Sequence, residues 1–325
     1  MFNLGIDVSK LKLDCVLLLE TISFKIKHKV VDNSPEGYLI LQQWVSAHIP
    51  QGEAWQAIME ATGVYHERLA YALHHANIPV AIINPAQLRL FALSLAVKSK
   101  NDRLDAVVIA RFGAERHPKQ WQPPSQEVRG LTQLLSRSEA IAKELQRESN
   151  RLEKASVTDT HAFVNESLTK SILFLKQQLK DIQQAIDELI QAEKSMKQDK
   201  ALLETIPAVG DKTSTYMTML FHQHHFEDAP QVTAFLGLIP VEHTSGSSVY
   251  KRPHLAKSGH SRLRCILYMA ALVAITHNPH LRDFYQRLLA KGKAKKAALG
   301  AVMRKLVHIC YGVFKHQTPY QINTS

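Results

Sequence analysis

The chain has 325 residues, 45% of them hydrophobic, with a formal net charge of +11 and a pI near 9.5. That length allows two or three hydrophobic cores. No run approaches the roughly 18 apolar residues of a spanning helix, the opening MFNLGIDVSK carries an Asp where a signal peptide is apolar, and Cys15, Cys265 and Cys310 are too scattered for a disulfide framework or a zinc site. These features argue against a membrane or secreted protein and make the cytoplasm the expected location.

Residues 3–118 alternate strand and helix signals. NLGIDVS, KLDCVLLLE and FKIKHKVVD predict a three-strand meander, with Asn33, Ser34 and Pro35 as turn chemistry before a helix over 37–48. AWQAIMEA predicts a buried strand ending near Glu60, VYHERLAYALHHA an amphipathic helix, and IPVAIIN another buried strand stopped at Asn84-Pro85. Three strands, helix, strand, helix, strand, helix is the layout of a ribonuclease-H-like α/β sheet.

This order places Asp7 at the end of the first strand, Glu60 at the end of its neighbour, and Asp102 and Asp105 at a helix start in KNDRLDAVVIARF. The last two are three residues apart and share a helix face. By itself NDRLD also reads as capping, because a helix N-terminus favours acids. Four carboxylates gathered together repel one another, and one or two hard divalent cations offset that repulsion most simply. Asp7 followed by Ser9 and Lys10 also opens sugar kinases and actin-like ATPases, but those need Gly-rich phosphate loops, and this sequence has none.

From Leu131 to Ile206 there is no Gly or Pro, and Leu168, Ile172, Leu175, Leu179, Ile182, Ile186 and Leu189 alternate four and three apart. That is a coiled-coil seam. Two partners fit it: the preceding helix, turned back near 156–160, or the same helix of a second subunit, and the regularity favours a dimer contact.

The remainder is predicted mostly helical around an irregular basic centre. LLETIPAVGDKTSTYMTML has the form of a helix-hairpin-helix element, with Gly210 and Lys212 at the start of its second helix, where turn amides hold a DNA phosphate. Ala208 stands where that element usually has glycine, and a plain helical hairpin is the simpler alternative. Between Lys251 and Lys305 there are 13 Lys or Arg against one acid, Asp283, so the chain's excess charge resides here and predicts a polyanionic partner. Within it lies VEHTSGSSVYKRPHLAKSGHSRLR, where Ser245 opens an SGSS loop among Lys251, Arg252, Lys257, Arg262 and Arg264. Such cations can hold a scissile phosphate and stabilise charge developing as a serine attacks it. Lys293, Lys295, Lys296, Arg304 and Lys305 extend the expected nucleic-acid surface. His243, His254 and His260 match no zinc spacing and are expected near phosphate or in a structural role.

The segments GIDVSKLKLD, EATGVY, INPAQLRLFA, KNDRLDA, IPAVGDKTS, FLGLIP, SGSSV, AKSGHSRLRCILY and MRKL, taken in order, resemble the DEDD-type insertion-sequence transposases, the group containing bridge-RNA-guided recombinases and pilin-gene invertases. The resemblance runs from residue 5 to about 310, with Ala208 and Cys265 as departures. It implies a fold of class α/β plus α: a RuvC-like metal-binding catalytic domain over 1–125, a helical coiled-coil segment over 126–200, and a C-terminal transposase domain over 201–325. It implies Mg2+ or Mn2+ held by Asp7, Glu60, Asp102 and Asp105, with Ser245 forming a covalent phosphoserine link to DNA. It further implies donor and target DNA as substrates, a noncoding guide RNA, a homodimer assembling to a tetramer in which one subunit's serine completes another's acid cluster, and a bacterial, nucleoid-associated setting without a membrane. A site-specific invertase, a metal-only RuvC-like structure-specific nuclease and a noncatalytic nucleic-acid-binding regulator are the alternatives.

Overall fold

The computed structural model describes residues 1–20, 25–61, 63–96, 101–245 and 249–321; the side chains of residues 243–252 are outside the description. The chain divides into two compact units, Met1–Pro123 and Pro124–Ser325.

The first unit is a five-stranded mixed sheet. Strands β1 (Phe2–Val8), β2 (Lys12–Glu20) and β3 (Lys25–Asp32) form the meander; α1 (Pro35–Ser46), β4 (Trp55–Glu60), α2 (Glu67–His75), β5 (Val80–Ile83), α3 (Pro85–Ser94) and α4 (Asp102–Arg116) follow. The sheet order is β3-β2-β1-β4-β5, with β1 antiparallel to β2 and parallel to β4. Element order and sheet agree with the layout expected from the sequence. Side chains alternate across the sheet. Leu4, Ile6, Leu13, Cys15, Leu17, Ala57 and Met59 join α1 and α2 in one core, while Val16 and Leu18 pack with Ala106 and Ala110 of α4, and Ile58 with Ile109, on the other face.

Two glycines set how closely α4 lies on the sheet. A Cβ on Gly5 would come within 2.2 Å of the Ala106 carbonyl oxygen and 2.3 Å of the Ala110 amide nitrogen, and a Cβ on Gly113 within 2.6 Å of the Ile58 side chain. Because position 5 meets 106 and 110 while position 113 meets Asn3, α4 runs antiparallel to β1. Its N-terminus therefore arrives at the strand end that carries Asp7. Asn101 caps that end, its Oδ1 accepting from the Leu104 amide at 2.8 Å.

Among the described residues the second unit is helical apart from one hairpin. Helices α5 (Gln126–Val157), α6 (Ala162–Ala192), α7 (Lys194–Glu204), α8 (Asp211–Gln223) and α9 (Ala229–Phe235) precede β6 (Pro240–Ser245) and β7 (Val249–Leu255); α10 (Ser261–His277), α11 (Pro279–Ala290) and α12 (Lys295–His316) close the chain. The seam of α6 packs on α5 of the same chain, the first of the two partners its periodicity allows; Ile172 and Ile186 are buried there and the other seam residues half-buried. At the base of this helical pair Val128, Leu131, Leu135, Ile186 and Ile190 share one core with α7, α8, α10 and α12, so 126–200 and 201–325 are continuous in packing.

Helix α12 is long and apolar enough to span a membrane by length and composition, although no uninterrupted apolar run in it reaches that length. It lies at the centre of this core instead, with Val302, Leu306, Val307 and Cys310 fully buried. The irregular basic centre proves to contain the β6/β7 hairpin. Its sequence conceals it, because Pro253 interrupts β7 and charged residues replace the usual alternation.

Candidate active site and nucleic-acid interface

The register of the first unit assembles the acids. Asp7 is the penultimate residue of β1; β1 pairs in parallel with β4 up to Ile6 opposite Met59, so Glu60, the last residue of β4, ends the adjacent strand. Asp7 and Glu60 share parity with Gly5 and Ile58, which contact α4, and so lie on the α4 face. Asp102 and Asp105 occupy the first turn of α4. All four therefore share one face at one end of the sheet, as the sequence predicts.

Their charges act on one another. The Asp7 carboxyl is pushed up to about 6, by burial first and then by Asp105, Asp102, Glu60 and Asp14 in that order. Asp14 is an acid outside the four that the sequence singles out. It stands directly opposite Asp7 in the antiparallel β1/β2 register and is 6% exposed. The signal was available: pairing across the tight Ser9–Lys12 turn sets Val8 opposite Leu13 and hence Asp7 opposite Asp14.

One cation already serves this cluster. Lys12 Nζ donates to Asp102 Oδ2 at 2.7 Å and lies 3.1 Å from Asp14 Oδ2, and those two bonds raise the Lys12 pKa. His28 Nε2 is 3.4 Å from Asp14 Oδ1. Among the described residues no three His, Cys, Asp or Glu side chains already stand in a metal-ligating group. The donor set itself, hard carboxylate oxygens in mutual repulsion, fits a hard divalent cation, although Lys12 now holds Asp102 Oδ2.

In the second unit Ser245 is the last residue of β6, paired with Val249. Its side chain, those of Lys251 and Arg252, and residues 246–248 lie outside the described part. The following loop is held tightly. A Cβ on Gly237 would fall 2.1 Å from the Ser258 carbonyl oxygen and one on Gly259 2.0 Å from that of Phe235. Arg264 ties the same two strands of chain together, donating from Nη1 to the carbonyls of Leu236 and Ser258 at 3.2 and 2.6 Å. His260 N-caps α10. Lys257 is exposed, as are Lys293, Lys295 and Lys296 around the start of α12; Arg304 and Lys305 are half-buried along that helix.

The helix-hairpin-helix signal resolves into a type II turn. Val209 N–H donates to the Ile206 carbonyl at 2.9 Å, with Pro207 and Ala208 between them and Ala208 at φ +82°. A glycine is favoured there, so Ala208 adopts the backbone of the residue it replaces. Gly210 then caps α8 without a side-chain bond. Lys212 follows in the first turn, and burial, then Arg262, lower its pKa.

A DEDD transposase family of IS110 type matches residues 4–161, and the transposase IS116/IS110/IS902 family matches residues 200–286. Pilin gene-inverting proteins of Moraxella lacunata and Moraxella bovis are each 31% identical over 98% of this chain and 97% of their own length. An uncharacterized protein of insertion element IS110 from Streptomyces coelicolor is 24% identical over 50% of this chain and 40% of its own. A Thermus thermophilus RuvC structure with a Holliday junction substrate covers 37% of this chain and all of its own at 17% identity, with a TM-score of 0.26. The chain belongs to the IS110 family of transposases and recombinases.

Proposed function

We propose that this protein cuts and rejoins DNA through a covalent phosphoserine intermediate, using Ser245 as nucleophile and Asp7, Glu60, Asp102 and Asp105 as the ligands of Mg2+ or Mn2+. The observation that carries the reading is the placement of the four acids on one face, with the Asp7 carboxyl pushed up by burial first and then by the other three acids and Asp14. A bound divalent cation would neutralise these acids and stabilise charge on the scissile phosphate and the departing oxygen. Ser245 Oγ forms a bond to phosphorus as the bond to the departing strand breaks; the serine proton passes to a base and the departing oxygen acquires one. The serine ester retains the phosphodiester's bond energy, so religation needs no nucleotide cofactor. Lys251, Arg252, Lys257 and Arg262 would hold the DNA backbone around the serine, with Lys293, Lys295, Lys296, Arg304, Lys305, Gly210 and Lys212 extending that surface. Arg264, bonded to two carbonyls, would shape the loop as well as contact phosphate.

Two further elements belong to this reading. A noncoding guide RNA would select donor and target by base pairing, leaving the protein to read backbone and shape. A homodimer assembling to a tetramer would bring the serine of one subunit to the acids of another, in the bacterial cytoplasm at the nucleoid. The identity to pilin gene-inverting proteins along nearly the whole chain favours a second reading: the same chemistry used for site-specific inversion.

The test is a protein–DNA adduct trapped under denaturing conditions with Mg2+ and DNA carrying the recombination sequence. Wild type forms it and Ser245→Ala does not. An adduct that survives Ser245→Ala removes Ser245 as nucleophile; cleavage without any adduct leaves the metal-only nuclease. Sequencing RNA that co-purifies with the protein decides the guide.

A further inference from the structure

The second unit holds a cleft of about 290 Å3 between α5, α6, α8 and α10, lined by Glu139 from α5, Gln183 from α6, Lys212, Thr215 and Tyr216 from α8, and Arg262 from α10. A neighbouring cavity of about 310 Å3 shares Lys212 and Arg262 and reaches Ala208 of the type II turn. The two cavities meet at the two cations.

The cleft's polar groups are incompletely matched. Tyr216 donates its hydroxyl to Glu139 Oε1 at 2.6 Å. Arg262 engages the Tyr216 hydroxyl, but its Nε lies 3.8 Å from the Glu139 oxygen, beyond hydrogen-bond reach, and that one nitrogen is buried without a partner. Thr215 is 3% exposed, and its Oγ1 is also buried without a partner. A buried donor left unmatched bears its desolvation penalty without return. Thr215 Oγ1 and Arg262 Nε thus lack an acceptor that the cleft itself supplies.

Charge and space point the same way. Lys212 and Arg262 are close enough for Arg262 to lower the Lys212 pKa, while Glu139 is the acid that faces both cations; Asp211, also lining the cleft, is tied to Lys200 Nζ at 2.8 Å. The first turn of α8 has no side-chain cap, and a Cβ on Gly210 would meet nothing within 4 Å. A 13-residue helix therefore presents uncapped amides and its positive dipole end to open space beside two cations.

We infer that this cleft is a DNA phosphodiester site in which the Glu139 carboxylate stands in for phosphate, so that α5 holds Arg262 and Tyr216 until the DNA backbone displaces Glu139. A phosphate offers tetrahedral oxygens that match the guanidinium fork and reach Thr215 as well. The contact carries no base information and sets register. This rests on the DNA-recombinase reading, to which it adds Thr215, Tyr216 and the competing Glu139.

The test is binding of full-length protein to a fluorescent DNA duplex, by anisotropy across a salt series. Glu139→Gln keeps an acceptor for Tyr216 and removes the competing charge; it is expected to tighten binding roughly tenfold. Arg262→Gln is expected to weaken binding roughly tenfold and to lower the slope of log affinity against log salt by about one. In the Arg262→Gln background, Glu139→Gln should bring almost no gain, because both act at one site. Glu144→Gln, whose parent pairs with Arg147 on α5, controls for net charge. A gain from Glu139→Gln no greater than from Glu144→Gln, a gain that persists without Arg262, or a gain seen for RNA duplex and not DNA each overturns the inference. Any of these with wild-type adduct formation intact leaves the Ser245 chemistry standing; absence of DNA binding by the wild type overturns both.

Discussion

The acids of the first unit stand on strand ends and a helix start whose mutual positions follow from backbone hydrogen-bond register, whereas the cations of the second unit stand on helices positioned by side-chain packing. Strand register is a counting rule: once Asp7 opposes Asp14 and β4 lies beside β1, the placement of Glu60 is determined. Helix packing has no such rule. Arg262 meets Glu139 across 123 positions of sequence only because Leu131, Leu135, Met217, Leu220 and Leu267 share one core. Sites built on register tolerate little local change, and sites built on packing admit graded change.

The steepest contrast is expected at the acids. Asp7→Asn or Glu60→Gln should reduce recombination at least about 10³-fold, as the loss of groups that hold a catalytic cation does, while anisotropy finds DNA affinity within about twofold of wild type. A similar loss of affinity would mean that the first unit is also a main binding surface, and the comparison would break.

Next in size is Gly5→Ala. Its Cβ meets backbone atoms of α4 that cannot swing aside, so a destabilisation of about 3 kcal/mol is expected from urea unfolding. A change below about 0.5 kcal/mol would show that α4 shifts freely over the sheet.

A smaller effect concerns pH. Asp7 has its folded pKa raised from 3.8 to about 6, so between those values the folded chain holds a proton that the unfolded chain has released. Stability without metal therefore falls as pH rises through this window and stays lower above it. Mg2+ should raise Tm above pH 6, where Asp7 is charged, and lose that effect near pH 5. Scanning fluorimetry with and without Mg2+ at both pH values checks the sign, and Asp7→Asn should flatten the difference.

The smallest is Ala208→Gly. Relief of the positive φ at the second central position of the turn outweighs the added freedom of glycine in the unfolded chain, giving roughly 0.5 kcal/mol of stabilisation. No change in DNA affinity is expected, because the backbone already has the glycine conformation.

What the sequence disclosed follows the same division. The five strands, the helix opening on Asp102 and the α5–α6 turn near 158–161 are legible, since local periodicity and turn residues specify them. Asp14 went unassigned because it reads as an ordinary polar residue within KLDCVLLLE until the β1–β2 turn is counted. The β6/β7 hairpin stays hidden because Pro253 and the four cationic or His residues His243, Lys251, Arg252 and His254 obscure strand alternation. Nothing in the local sequence of Ser138–Ile141 distinguishes Glu139 from any acid on a solvated helix face. Only the folded core brings Tyr216 and Arg262 to it.

The glycines beneath α4 bear on how such a chain diverges. Because Gly5 and Gly113 fix the helix against the sheet at two points two residues apart on β1, Asp102 and Asp105 take their positions from that contact. The connection between α3 and α4 does not have to aim them. Insertions and deletions there can accumulate among descendants without disturbing the acids, and a foreign segment spliced at this junction should leave their spacing intact.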